Sequence, residues 1–259
     1  MINKDANGGF DKSFHPSWFR PFNFTEKKKI MIDSFRYLWY FSYMDITKIL
    51  NFVIQIAVLL FSVSIHESSH GWMAEKFGDP TARMQGRITL NPIAHIDLVG
   101  SIIFPIILAI MHAPIFGWAK PVIWNPNNVR NYRKAMIFIS AAGPTSNVIA
   151  ASTGIGIFLI IKHLNPRILM GSNGMDIVGL ILFELIIINI FLAIFNLIPV
   201  PPLDGGGILE GFLHGVALEN YHKIKPFGFI ILLLIIYTGV LNIIARPILN
   251  FVLTILQRG

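Results

Sequence analysis

Charged residues cluster along this 259-residue chain and leave five long stretches without any, at 49–65, 98–119, 135–161, 185–203 and 226–245. A helix needs about 20 predominantly apolar residues, within about 17–25, to cross the hydrocarbon of a bilayer. Four of the stretches meet or nearly meet that length. The stretch at 98–119 is interrupted by Pro105 and Pro114, so its unbroken helix is shorter than the gap in charge. The pattern predicts an all-α polytopic integral membrane protein with about five to six membrane segments. The first membrane helix is expected to run from about Ile46 to Phe77 and to end at Gly78-Asp79-Pro80.

The remaining segments are polar, aromatic or alternating. Residues 1–34 are polar and contain Gly8, Gly9, Pro16 and Pro21, while 35–44 are dense in Phe, Tyr and Trp but too few to cross. Aromatic rings favour the headgroup layer, so 1–45 reads as a polar tail with an interfacial lead-in. Residues 46–259 then form one transmembrane domain. Residues 81–91 alternate loosely through Met84, Ile88 and Leu90, which suggests a short strand or hairpin. Residues 115–124 favour extended structure, and Pro121 would confine such a strand to an edge.

Composition supports the membrane reading: 54% of residues are hydrophobic and 14% are charged, against roughly 25% charged in soluble domains. The mean hydropathy is +0.62. The formal charge of +7 resides in loops and in the tail, above all at Lys27, Lys28 and Lys29. In a membrane chain such an excess reports topology, and no nucleic-acid partner is expected. No cleavable signal peptide is predicted, because the first apolar run begins well past residue 30. There are no cysteines, which excludes disulfides and thiolate metal sites. A bound metal would have to be held by His, Asp or Glu.

Such residues close the first apolar run, as His66-Glu67-Ser68-Ser69-His70. On a helix, positions four apart differ by about 40° in direction and about 6 Å in height, so both imidazoles face one way. That suits two ligands of one tetrahedral zinc, with Glu67 placed to take a proton from a metal-bound water. A catalytic zinc needs a third protein ligand, and the candidates are Asp204, Glu210, Glu184, His95, His112 and His214. Asp204 stands out because it ends an apolar run, after Pro199, Pro201 and Pro202 and before three glycines at 205–207 that would let the chain turn tightly. Unwound backbone at membrane depth is tolerated where it lines a wet cavity, which a zinc pocket would supply.

The segments His66-Glu67-Ser68-Ser69-His70-Gly71 and Asn196 to Gly206 resemble those of the site-2 proteases, intramembrane zinc metalloproteases. Weaker matches lie at Asn91-Pro92-Ile93-Ala94-His95-Ile96-Asp97, Gly117-Trp118-Ala119-Lys120-Pro121-Val122 and Ala142-Gly143-Pro144-Thr145-Ser146-Asn147. The resemblance covers roughly 66–206, in a minimal form without PDZ or CBS domains. It implies that His66, His70 and Asp204 hold one zinc per chain and that Glu67 is the general acid/base. Asn196 and Asn147 would be polar supports near the cleavage point, with Asn196 donating to the oxyanion or to substrate backbone. It further implies membrane-protein substrates, a lipid bilayer as environment and residence in the cell membrane.

Zinc ligands must share one depth. If 98–119, 135–161 and 185–203 all crossed fully, Asp204 would emerge on the face opposite His70. The expected solution is a re-entrant path, with 115–124 returning as a strand that lines the cavity and holds unwound substrate by strand addition. One alternative is a membrane-anchored metallopeptidase cutting soluble or loop substrates, with Glu210 as third ligand. The other is a non-catalytic membrane scaffold or small-ion conduit. Glu184 reads as an interfacial group or the partner of a loop cation. His95 and Asp97 read as supports of a zinc ligand or as caps of the next helix, and Gly143 with Asn147 as a close helix contact or a catalytic element.

Overall fold

The computed structural model describes residues 46–103, 107, 110, 119–171 and 174–258. The expected tail and aromatic lead-in at 1–45, His112, and the first part of the expected strand at 115–124 lie outside the described residues.

Helix α1 spans Ile46–Lys76, and neither Gly nor Pro interrupts it before Gly71. It closes in a Schellman arrangement. Gly78 takes a positive φ of 104°, its N–H bonds the Glu75 carbonyl at 2.9 Å, and the Asp79 N–H bonds the Ala74 carbonyl at 3.0 Å. The strand or hairpin expected at 81–91 is not formed. Asp79 accepts hydrogen bonds from the Thr81 amide (3.2 Å) and hydroxyl (2.5 Å), which starts a helical turn instead, α2 at Thr81–Met84. The chain then passes through a 3-10 turn at Pro92–His95, whose first amide is capped by Asn91, and a π-helical turn at Leu98–Ile103.

From Ala119 to Trp124, the described part of the second expected strand, no regular secondary structure forms. The reason is local: Pro121 has no N–H, the Lys120 N–H goes to the His95 carbonyl and the Val122 N–H to the Glu67 carboxylate, so no partner strand is paired. Among the described residues the only strands are β1 (Met170–Gly171) and β2 (Gly174–Met175), a short antiparallel pair.

Helix α3 (Tyr132–Leu164) starts at an Asn131 cap and contains Pro144, and α4 (Ile177–Asn196) starts at an Asp176 cap. Then follow α5 (Asp204–Phe212), α6 (Gly215–Ile224), a 3-10 turn leading into α7 (Gly228–Thr238), and α8 (Val240–Arg258). Four helices are long and apolar enough to cross a membrane: Ile49–Lys76, Tyr132–Leu164, Ile177–Asn196 and Gly215–Thr238, with a shorter apolar helix at Ile243–Gln257. An apolar core gathers Phe158 of α3, Leu182, Ile186 and Ile190 of α4, and Val252 and Leu256 of α8.

The glycines at 205–207 do not form the turn. Leu197–Leu203 turns the chain, and the glycines lie inside α5, where they permit close approach. A Cβ on Gly205 would strike the carbonyls of Leu197 and Ile198, and one on Gly207 would strike Ser140 of α3.

Candidate metal centre

Three elements meet at one point. Helix α1 supplies His66, Glu67 and His70, α3 crosses it at Ile139–Asn147, and α5 supplies Asp204 as its first residue. His66 and His70 are buried. The His66 Nε2 lies 3.1 Å from the His70 Nε2 and 3.0 Å from the Asp204 Oδ2, and the His70 Nε2 lies 3.3 Å from the Asp204 Oδ1. The donor atoms of the three residues all fall within 4.8 Å of one another, a group that could hold a metal ion. At 1.5 Å per residue, His70 sits about 9 Å and His66 about 15 Å inside the end of α1.

The hydrogen bonds fix which ring nitrogens carry protons. Asn189 Nδ2 faces the Leu185 carbonyl (2.8 Å), which can only accept, so the Asn189 Oδ1 is an acceptor. It takes the Asn147 Nδ2–H at 2.7 Å, which leaves the Asn147 Oδ1 to accept from the His66 Nδ1 at 2.5 Å. Ser62 completes the network, giving its hydroxyl oxygen to Asn189 at 2.8 Å and its carbonyl to Asn147 at 3.3 Å. Likewise the His70 Nδ1–H donates to the Ile139 carbonyl at 2.6 Å. Both Nε2 lone pairs therefore point into the cluster. At 3.1 Å at most one of these nitrogens can carry a proton, whereas one cation satisfies all three donors. Two ligands about 2.05 Å from a tetrahedral zinc lie about 3.3 Å apart, so the donor set fits that ion.

Gly143 completes the cradle. A Cβ there would lie 2.6 Å from both the His66 and the His70 Cε1, and closer still to the His70 Nε2. Gly143 is thus a close helix contact, and Asn147, four residues on, orients an imidazole. Glu67 is half-buried, and its Oε2 accepts the Val122 N–H at 2.9 Å. Asn196 is half-buried and donates back to the Leu192 carbonyl at 3.0 Å, so its amide is turned along α4.

The other candidates are occupied elsewhere. Glu210, the alternative third ligand, faces Lys225 Nζ (2.7 Å) and His222 Nε2 (3.1 Å). Glu184 accepts from Gln55 of α1 at 2.9 Å, a contact between helices and not with a loop cation. His214 faces the Phe212 carbonyl. The His95 Nε2 contacts the Thr89 carbonyl at 3.0 Å and no member of the donor cluster, while Asp97 accepts from the Gly100 amide at 2.6 Å and starts the π-helical turn. Ser62, Asn189 and Asp79, all fully buried, were not singled out as functional residues by the sequence. The available signal is Asn189, a polar side chain inside the charge-free run at 185–203.

The model of peptidase family M50 matches residues 54–236. The chain is 36% identical over 196 residues to the protein named "Putative zinc metalloprotease YwhC" of Bacillus subtilis (strain 168), covering 75% of this chain and 85% of that protein. It is 27% identical over 191 residues to "Putative zinc metalloprotease Rip2" of Mycolicibacterium smegmatis, covering 74% of this chain and 69% of that one. No solved structure matches.

Proposed function

The chain belongs to peptidase family M50, the site-2 protease family, and from that premise we propose that this zinc metalloprotease hydrolyses peptide bonds within or near the transmembrane segments of other membrane proteins. The carrying observation is the convergence of Asp204, at the start of the short helix α5, with His66 and His70, which lie inside a helix long and apolar enough to span a bilayer. In this reading the three residues are the ligands of one zinc per chain. Zinc held there would supply a water of lowered pKa and a Lewis acid for the scissile carbonyl. Asn147 and the Ile139 carbonyl hold the imidazoles in the metal-binding tautomer. Glu67 is the general acid/base: with Oε2 held by Val122, Oε1 carries the proton from the attacking water to the leaving amine. Asn196 would donate to the oxyanion after turning from Leu192.

Peptide bonds inside a substrate helix are shielded, so the substrate must unwind, and the non-helical backbone of Ala119–Trp124 beside Glu67 is the segment against which it would lie. Residues 46–259 act as one transmembrane protease domain, with 1–45 as a tail. Adding Ile243–Gln257 to the four long helices would give five membrane segments, and adding the run at 98–119 as well would give six. The cell membrane is the proposed location.

Zinc content and cleavage of a labelled transmembrane peptide test the assignment together. Glu67→Gln is expected to keep its zinc and lose cleavage, and Asp204→Ala to lose both. Cleavage surviving in Glu67→Gln would remove the general-base role, and full zinc retention in Asp204→Ala would remove the third ligand.

A further inference from the structure

Asp79 lies outside the metal cluster, at the turn that ends α1, yet it is fully buried. Its Oδ1 accepts from the Thr81 amide and hydroxyl and from the Asn128 Nδ2 at 2.7 Å, and its Oδ2 accepts from the Asn125 amide at 2.6 Å. These bonds hold its carboxyl below the ordinary range although burial pushes the other way. A buried carboxylate with four donors is more than a helix stop requires, since the Schellman bonds already close α1.

The donor on Oδ2 belongs to the segment that touches Glu67. That segment is fixed to the body of the protein by three amides: Lys120 to the His95 carbonyl (2.8 Å), Val122 to the Glu67 Oε2 (2.9 Å) and Asn125 to the Asp79 Oδ2 (2.6 Å). The Val122–Glu67 bond therefore lies between two anchors. His95 is itself buried and bonded to Thr89, which exchanges hydrogen bonds with Ser68, the residue after Glu67. The anchor at Asp79 is the one that carries charge.

We propose that Asp79 is a positioning residue for Glu67: by holding the Asn125 amide it keeps the Lys120–Asn125 backbone, and with it the Val122 N–H, against the Glu67 carboxylate. The inference rests on Glu67 being the general acid/base. A misplacement of about 1 Å at a reacting group costs about a hundredfold in rate, so a slackened anchor acts on turnover and leaves metal binding alone.

Asp79→Asn separates the two sides of the carboxylate. The carboxamide keeps most bonds by turning its single oxygen to Thr81 and Asn128, which leaves its NH2 facing the Asn125 N–H. Thr81→Val is the control, because it removes a donor from Oδ1 and leaves the Asn125 bond in place. The full chain in detergent, loaded with zinc, is assayed with a fluorogenic peptide whose scissile bond lies in an apolar helix. Amide exchange over 119–125 is read by mass spectrometry, and zinc content is measured. For Asp79→Asn we expect faster exchange over 119–125, kcat lower by roughly 10–100-fold, KM within about twofold and unchanged zinc. For Thr81→Val we expect kcat within about twofold.

Equal losses in the two variants, loss of zinc from Asp79→Asn, or unaltered exchange would reduce Asp79 to a structural role and overturn the proposal. Should Asp79→Asn not fold, Val122→Pro deletes the amide on Glu67 directly; a kcat at the parent level there overturns the proposal as well. Glu67→Gln keeps the outcomes apart: if it remains active the general-base reading fails, whereas the exchange result reports on the anchor alone.

Discussion

Helix α3 has two kinds of interior. Between Ile139 and Asn147 it meets imidazoles and carboxamides, and Asn147 is fully buried with its side-chain amide bonded through both atoms. From Ala151 to Phe158 it meets Leu182, Ile186, Ile190, Val252 and Leu256, all apolar. In water the second half would be the source of stability. In a membrane it is not, because lipid tails are as apolar as leucine and burial there adds only packing contacts. The polar half has no water to fall back on, and each unsatisfied group inside the bilayer costs several kcal/mol. The apolar half should therefore tolerate changes that keep its volume, while the polar half should tolerate neither loss of a partner nor loss of space.

The most severe break in this contrast is expected from the smallest change. Gly143→Ala adds one methyl group at a point 2.6 Å from the Cε1 of both imidazoles. Neither ring can yield without leaving the Asn147 or Ile139 bond that orients it. Zinc affinity should fall by more than about a hundredfold, beyond what the loss of a supporting hydrogen bond usually costs. Competition with a chelator measures it. A normal affinity would mean that the two helices separate freely at this crossing.

Next in size is a matched pair, one substitution from each half. Asn147→Leu keeps the volume but removes the acceptor of the His66 Nδ1–H and the donor to Asn189. It should lower zinc affinity by about 10–100-fold. Ile186→Val, in the fully buried centre of the apolar half, loses packing contacts only, so it should cost no more than the roughly 0.5–1.5 kcal/mol of a water-soluble core and leave zinc affinity alone. Thermal unfolding and metal titration of both proteins give the comparison. A zinc defect in Ile186→Val would show that the halves are mechanically one.

The contrast also explains what could be read from the chain beforehand. The meeting of His66 and His70 was legible because helical geometry alone brings i and i+4 to one face, and Asp204 as their candidate companion because three prolines follow α4 before it. The charge-free runs similarly foretold α1, α3 and α4, which are long and apolar enough to cross a bilayer. What partners across the fold was not legible. Asn189 and Ser62 are ordinary polar residues until α4 and α1 bring them to Asn147. Asp79 reads as a helix stop until 125–128 fold back onto it. Gly205-Gly206-Gly207 reads as a turn, because glycine signals both backbone freedom and close approach, and only the packing of α5 against Leu197–Pro201 and Ser140 decides between them.

The smallest expected effect lies at Glu210, on the short helix α5 outside the long apolar spans. Burial pushes its carboxyl up, but Lys225 and then His222 outweigh that and hold it below the ordinary range. A carboxyl depressed in the folded state contributes stability that is complete above its unfolded value of about 4.3 and is lost as pH falls through the lower folded value. Wild type should therefore lose more thermal stability than Glu210→Gln between about pH 5 and pH 3, with both held in chelator so that zinc release does not enter. The difference should be modest, because the Lys225 and His222 side chains are 48% and 51% exposed and water screens the pair. Superimposable acid limbs for the two proteins would show that the charge at Glu210 adds nothing to the fold. The stability of α5, and with it the placement of Asp204, would then rest on its glycine contacts with α3 and with the Leu197–Leu203 turn.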